Sequence, residues 1–555
     1  MKMNRLTRAA AMVAALMLVR SATAQDQVGD KVDLDTLSAI KNQAYDHSQV
    51  MENLYYISEV YGPRVNNSAN HRAATEWAVK QLQAWGLKNV HVEKFAFGYG
   101  WQIKKFYAAM ETPAYAALIG FPLAWTPGTN GQIQAEAMYA PIHSKDDFAK
   151  YHGKLKGKVV LMFDPPHLLL HTTPEAAKSP TDEEILARAN GPRGGVGGPG
   201  GPPTGRPAGP GGPTPRGRGR YDEGTWEYTP TSLALADEKN HDLRNEINAY
   251  LHDEAPAMVL TPGYNGDGGT IFSSYGGSQD PKDPVPPPIV AITPEQYNRI
   301  VRLLQHGTVP KLTFDVAVEY QKDPYAYNVI GEIPGTTKPE EVVMLGGHFD
   351  SWQGGTGATD NGTGSAVAME AVRILATLHK PMARTVRVAL WGGEEEGEWG
   401  SKAYVQQHFA PRDTMKLTPE YAKLDVYFND DGGSGRFRGV SAGGSPEMAT
   451  IFKSWIEPIK DQHIVAVSGA EFRPTLTPGG TDSSTFSWIG LNGIGFQQDT
   501  LEYGTRTHHS NMDLYDRVQK DDVEQGSMIE AWFAYNAATR AEMLPRIPTP
   551  EPLKK

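Results

Sequence analysis

The sequence contains no cysteine. That absence excludes a disulfide scaffold, thiolate zinc sites, iron–sulfur clusters and a cysteine nucleophile, so any metal site must be built from His, Asp and Glu. Long apolar runs are missing too. The stretch at 9–19 has only 11 residues, too short to span about 30 Å of hydrocarbon, and no later segment approaches that length. Positive charge is also in deficit, with Lys+Arg 53 against Asp+Glu 64 and a formal net charge of −11. An acidic balance argues against nucleic acid as the main partner.

The 555 residues suffice for two or more domains, and 39% hydrophobic with 21% charged residues fits a soluble globular chain. Lys2, Arg5 and Arg8 precede the apolar run, and Ala22-Thr23-Ala24 supplies a small-residue cleavage pattern before Gln25. Residues 1–24 therefore read as a secretory signal peptide, and the mature protein is expected to be exported, periplasmic or extracellular, with no membrane span after cleavage. At 190–220 the chain is mostly Gly and Pro, with Arg193, Arg206, Arg216, Arg218 and Arg220 and no acidic residue. Gly194-Gly195 and Gly197-Gly198 break the three-residue period of collagen, so this tract is expected to be a disordered, solvated spacer.

Apolar periodicity sets the remaining organisation. Ala73, Trp77, Leu82 and Trp85 predict a helix over 69–85, which Gly86 stops before a strand at 90–93. Short strand patterns at 159–162 and 288–292, separated by Gly/Pro loops and one helix at 294–304, mark a β-rich module over 107–318. From 319 to 545 strands and helices alternate: strands at 342–345, 385–391, 424–428 and 493–496, with Val367, Ala371, Ile374 and Leu375 on one helix face. The fold class expected is α/β, a mixed, largely parallel central sheet flanked by helices, with residues 25–106 as its first part and 546–555 as a flexible tail.

Five clusters fall at or just after the strands of this last region: His348 and Asp350, Asp360, Glu394-Glu395-Glu396, Asp430-Asp431, and His508-His509. In an open α/β sheet the carboxyl ends of the strands open onto one crevice, where residues distant in sequence converge. Imidazoles and carboxylates without thiolates suit two zinc ions, with Mn²⁺ or Co²⁺ as substitutes. Two adjacent dications need a bridging carboxylate, and Asp360, set among glycines ahead of a helix, is the natural bridge. Another carboxylate nearby serves as a proton shuttle for hydrolysis.

The stretches GGHFDSW, GATDNGTGSA, WGGEEEGEWGS, NDDGGSGRFRGV and RTHHSNMDLYDRV make the chain resemble the zinc-dependent M28 metallopeptidases of aminopeptidase and carboxypeptidase Q type, over 61–85 and most of 327–517. The resemblance implies a zinc exopeptidase fold and assigns roles. His348, Asp360 and Asp431 would hold one ion; Asp360, Glu395 and His509 the other. Asp350 would orient His348, and Glu394 would be the general base. Asp431 is preferred over Asp430, and His509 over His508, by alignment with the family pattern. Asp482, in a segment resembling a pocket-lining motif, and Tyr503, as a phenol for an oxyanion, are substrate-binding candidates. Asp146-Asp147-Phe148 and the strand at 157–161 make the β-rich module resemble an inserted protease-associated domain. The implied activity is hydrolysis of terminal peptide bonds of a peptide substrate, most simply as an aminopeptidase. Carboxypeptidase or dipeptidase action, a single-zinc glutaminyl cyclase and a non-catalytic receptor-like binding protein on the same scaffold are the alternatives. Oligomeric state is not readable from these motifs.

Overall fold

The computed structural model describes residues 30–168, 180–189, 238–264, 266–475 and 478–553. The leader expected at 1–24 and the Gly/Pro/Arg tract expected at 190–220 lie outside them. Helix α1 (Leu34–Asp46) is capped by the Asp33 carboxylate, which accepts the Thr36 N–H, and α2 (Ala69–Ala84) by Ser68, which accepts from His71. Strand β1 (Lys88–Ala96) follows, longer at both ends than its apolar core suggests. The chain then builds a second sheet from β2 (Gly100–Thr112), β3 (Ala116–Ala117), β4 (Gly120–Pro122), β5 (Ile133–Tyr139), β6 (Val159–Leu161), β7 (Met258–Thr261), β8 (Ile289–Ile292) and β9 (Lys311–Gln321). It returns as β10 (Tyr325–Ile333), β11 (Lys338–His348), β12 (Arg384–Trp391), β13 (Leu424–Asn429), β14 (Phe437–Ser441), β15 (Ala466–Ser468) and β16 (Gly493–Gln498).

The first sheet has the order β1-β10-β12-β11-β13-β16-β14-β15. Its centre, β12-β11-β13-β16, is parallel, while β1, β10 and β14 pair antiparallel. Both faces are covered, which explains why the central strands read as apolar runs. Val343 and Leu345 of β11, Val386 and Val388 of β12 and Val426 and Phe428 of β13 face one core. Met344, Ala389, Trp391 and Tyr427 alternate to the other. The first core is roofed by α1, α2, helix α3 (Thr363–Leu378), buried without interruption from Thr363 to Leu375, and the carboxy-terminal helix Lys520–Thr539. Each fully buried Val, Leu or Ile there contributes roughly 1.5–3 kcal/mol.

The second sheet, order β3-β2-β9-β5-β6-β7-β8-β4, repeats that logic on a smaller scale. Val159, Leu161, Leu260 and Ile292 face one apolar cluster; Val160, Val259, Ile289 and Ala291 face another. Its entry and exit are adjacent: the Phe97 N–H donates to the Pro324 carbonyl at 2.8 Å, and Asn67 Nδ2 donates to the carbonyls of Gly98 and Asp323. An aromatic cluster of Phe97, Trp101, Trp125, Tyr275 and Trp352 seats the module on the first domain. The stretch from 546, expected as a tail, is held there as well: Arg546 Nη1 donates to the Tyr421 carbonyl, and Arg412 Nη1 to that of Glu551.

Candidate metal centre

Because β11, β12, β13 and β16 run parallel, their carboxyl ends share one edge. His348 is the last residue of β11; Glu394 and Glu395 follow β12; Asp430 and Asp431 follow β13; the turn carrying His508 and His509 follows β16. Asp360 arrives from the short turn Ala358–Gly362 before α3, with its peptide bond to Asn361 cis. Asn361 fixes that turn, its Oδ1 accepting the Gly364 N–H at 2.9 Å and its Nδ2 donating to the Asp430 carbonyl at 2.7 Å. Gly364 is required there, since a Cβ would collide with the Asp430 carbonyl and the Asn361 side chain.

Asp360 lies between two sets of imidazoles. Its Oδ1 is 3.3 Å from His348 Nε2, and its Oδ2 is 3.3 Å from His509 Nε2. His348 Nε2 is also 3.4 Å from Asp431 Oδ1, and His509 Nε2 is 2.9 Å from Glu395 Oε2. Ligand atoms of His348, Asp360 and Asp431 all lie within 4.8 Å of one another, as do those of Asp360, His508 and His509. His508 is thus closer to the centre than its leftover status in the sequence suggests, with its ring stacked on His509 at 3.7 Å and its Nε2 3.9 Å from Asp360 Oδ2. Asp430 turns away, and its charge acts on buried Glu530 of the carboxy-terminal helix.

These groups fit metal ions. Two ligands 2.0–2.1 Å from a tetrahedral zinc ion stand about 3.3–3.4 Å apart, the spacing found from His348 to Asp360 and from His348 to Asp431. Asp360 Oδ2 and Glu395 Oε1 are buried without a hydrogen-bond partner, an arrangement that costs free energy unless a cation meets them. The titration balance agrees. Burial drives Glu394 and Glu395 well above the usual carboxyl range, the Asp360 charge adding to the effect at Glu395, whereas the imidazoles overcome burial to hold Asp360 low. Burial opposes protonation of His348, but Asp431, Asp350 and Asp360 outweigh it and push that imidazole well above its ordinary value. Burial lowers His509. The crevice therefore buries more carboxyl groups than its imidazoles can balance, and burial keeps two imidazoles, His508 and His509, in the neutral form a ligand needs.

The other sequence candidates sit close by in somewhat different roles. His348 Nδ1 is 3.1 Å from the main-chain oxygen of Asp350 and 3.7 Å from its carboxylate. That carboxylate instead accepts the N–H groups of Glu394, at 3.2 Å, and Glu395, at 3.3 Å, clasping the glutamate loop. Glu394 Oε2 is 4.0 Å from His348 Nε2, on the cleft side. The Tyr503 hydroxyl, expected to meet an oxyanion, donates to Asp360 Oδ1 at 2.9 Å, because the turn Tyr503–Thr507 buries the ring under the carboxylate. Asp482 is fully buried at the start of the helix Ser483–Trp488, and burial pushes its carboxyl well above the usual range.

Two supporting residues were not singled out from the sequence. Asp513 accepts from the Thr359 N–H at 2.6 Å and hydroxyl at 2.8 Å and from the Asp360 N–H at 3.3 Å. Buried Arg64 donates to the carbonyls of Phe349, Ile57, Thr356 and Gly357, tying the loop after β11 to the Asp360 turn. Both lie in stretches that carry the family resemblance, but an isolated Arg or Asp has no spacing that reveals four carbonyl partners.

Residues 328–532 match the profile described as peptidase family M28. A carboxypeptidase Q from Mus musculus is 29% identical over 279 residues, covering 50% of this chain and 56% of the relative. The chain thus spans about half the length of the curated relatives it matches. A solved peptidase M28 precursor from Shewanella amazonensis SB2B has a TM-score of 0.61 at 19% identity, over 93% of this chain and 99% of that one. BSAP, a zinc aminopeptidase from Bacillus subtilis, has a TM-score of 0.52 at 16% identity, over 89% and 95%. At these identities the two structures establish the shared fold.

Proposed function

We propose that this chain, whose residues 328–532 match the profile of peptidase family M28, is a di-zinc exopeptidase of that family that hydrolyses the terminal bond of peptides bearing a free amino end. The observation that carries this reading is Asp360, whose two carboxylate oxygens each stand 3.3 Å from a different imidazole. His348 and Asp431 would complete one ligand set, and Glu395 and His509 the other. Zinc held there supplies Lewis-acid polarisation of a carbonyl and acidification of water.

The chain's own groups do the rest. Glu394, held above its ordinary pKa mainly by burial, takes the proton of the attacking water at a side-chain carboxylate oxygen and delivers it to the nitrogen of the leaving amine as the C–N bond breaks. Asp350 positions it through the Glu394 N–H. The free amino end is supported by the similarity to a probable leucine aminopeptidase 2 from Aspergillus oryzae, 30% identical over 242 residues, 42% of this chain and 44% of that one. The similarity to carboxypeptidase Q supports the opposite polarity as a second reading. The second sheet is taken as a protease-associated module edging the cleft, and the leader pattern at 1–24 supports export.

Metal analysis combined with turnover of three matched peptides, unmodified, N-acetylated and C-amidated, tests this. Two zinc per chain and loss of turnover on N-acetylation alone are expected. Loss on C-amidation alone would establish the carboxypeptidase polarity, and one zinc per chain with no turnover of any of the three would overturn the proposal.

A further inference from the structure

The turn that carries His508 and His509 lies beyond the end of β16, and its mate comes from the other sheet. Between β7 and β8 the second module extends residues 266–276 to the crevice. Phe272 forms an antiparallel bridge with Ser510. Around it the Ser273 N–H donates to the His509 carbonyl at 3.2 Å, and the Asn511 N–H donates to that of Ile271 at 3.2 Å. The Asn511 side chain closes the ladder, accepting the Ile271 N–H at 2.7 Å and donating to the Gly269 carbonyl at 3.0 Å. Arg506, at the other end of the turn, reaches Asp267 Oδ1 at 2.6 Å and Thr270 Oγ1 at 3.1 Å. Tyr275 and His509 both pack against Trp352, with ring centroids 5.5 and 6.3 Å from the indole.

His509 itself has φ +60. For a residue with a Cβ, that left-handed conformation is strained and persists where the surroundings over-determine it. The contacts that restrain its main chain include the Ser273 donation and the adjoining bridge.

We infer that segment 266–276 of the second module is a positioning element for His509, so that one of the two zinc positions is completed only when the module is docked. The module thereby acts on the centre through backbone register, in addition to any part it has in limiting access. Asn511 is the positioning residue through which this is tested, and the inference rests on the two-zinc reading.

The test uses the full chain with Asn511→Ala, and Gln296→Ala as a matched control. Gln296, like Asn511 a partly buried amide but within the module, accepts the Ile119 N–H and the Thr293 hydroxyl and donates to the Ala117 carbonyl, on the side of β3 and β4. Zinc titration of the metal-free proteins is read together with hydrogen exchange over 505–513. Asn511→Ala is expected to weaken one zinc equivalent by about 10–100-fold, as outer partners of metal ligands do, to leave the other in place and to speed exchange in that segment. Gln296→Ala is expected to change neither. Asn511→Asp, which keeps the acceptor for Ile271 and loses the donor to Gly269, is expected to fall between and serves if the alanine variant does not fold. Exchange and both zinc equivalents matching the wild type would overturn the inference. If the wild type takes up only one zinc, the two-zinc reading falls, and the exchange measurement on metal-free protein still decides whether the segment positions the turn.

Discussion

The two eight-stranded sheets of this protein are alike in construction and opposite in content. Each is mixed and each buries apolar side chains on both faces. Buried carboxylate oxygens without a hydrogen-bond partner, those of Asp360, Glu395, Asp430 and Glu530 among them, belong to the first sheet and its helices; among the described residues of 100–321 there is none. A fold gains stability by filling its core and loses it by burying charge. The second sheet follows that rule, whereas the first departs from it most where its parallel strands end; at their other ends Glu341 and Asp425 are paired with Arg384. Such a departure marks where a protein does chemistry.

The sharpest way to break this contrast is to remove the charge that the first sheet buries. Asp360→Ala is expected to release at least one zinc, measured by metal analysis, with hydrolysis falling further than in any other variant described. Glu394→Gln is expected to keep both zinc ions while kcat drops about 10²–10⁴-fold, the range for a lost general base. Unchanged metal content in the first variant, or full activity in the second, would remove the residue from its role.

The opposite perturbation targets the apolar sheet. Leu260 is fully buried in β7, so Leu260→Ala is expected to cost about 2–5 kcal/mol of stability, seen as a lower midpoint in denaturant. Zinc content at 25 °C should stay at the wild-type value. A variant equal to wild type in stability would show that this core contributes little.

The smallest effect concerns charge that the first domain pairs instead of stranding. His408 sits between Glu93, at 3.0 Å, and Glu420, at 2.9 Å. Burial lowers its pKa, but the two carboxylates prevail and raise it above 6.5. Because the folded value exceeds the unfolded one, the stabilisation is fully present below pH 6.5 and disappears as pH rises through the raised value. His408→Gln should flatten the dependence of the melting temperature on pH across that window. An unaltered profile would mean that the pair contributes nothing.

Much of the first domain was legible because its strands are buried on both faces and its helices keep a strict apolar period. The helix expected over 69–85 and the strand at 385–391 match α2 and β12 within one residue at each end. The clusters at His348, Glu394-Glu395 and Asp430-Asp431 stood out because each stands beside glycine just where a parallel strand ends. Roles that depend on direction were not. Nothing local in the sequence tells that the Asp350 carboxylate reaches the Glu394 and Glu395 amides, that Tyr503 lies under Asp360, or that His508 stacks on His509.

Residue type and spacing alone therefore determined the kind of chemistry: without thiols, with imidazoles and carboxylates at strand ends, only an oxygen- and nitrogen-ligated centre can form. Tertiary structure decided which atom faces which, and that the turn bearing His509 finds its backbone partner in a module that leaves the first sheet at residue 97 and rejoins it at 324. The physical reason is range. Periodicity and ligand type are properties of a few neighbouring residues, whereas a hydrogen-bond partner more than two hundred residues away exists only once both sheets are packed.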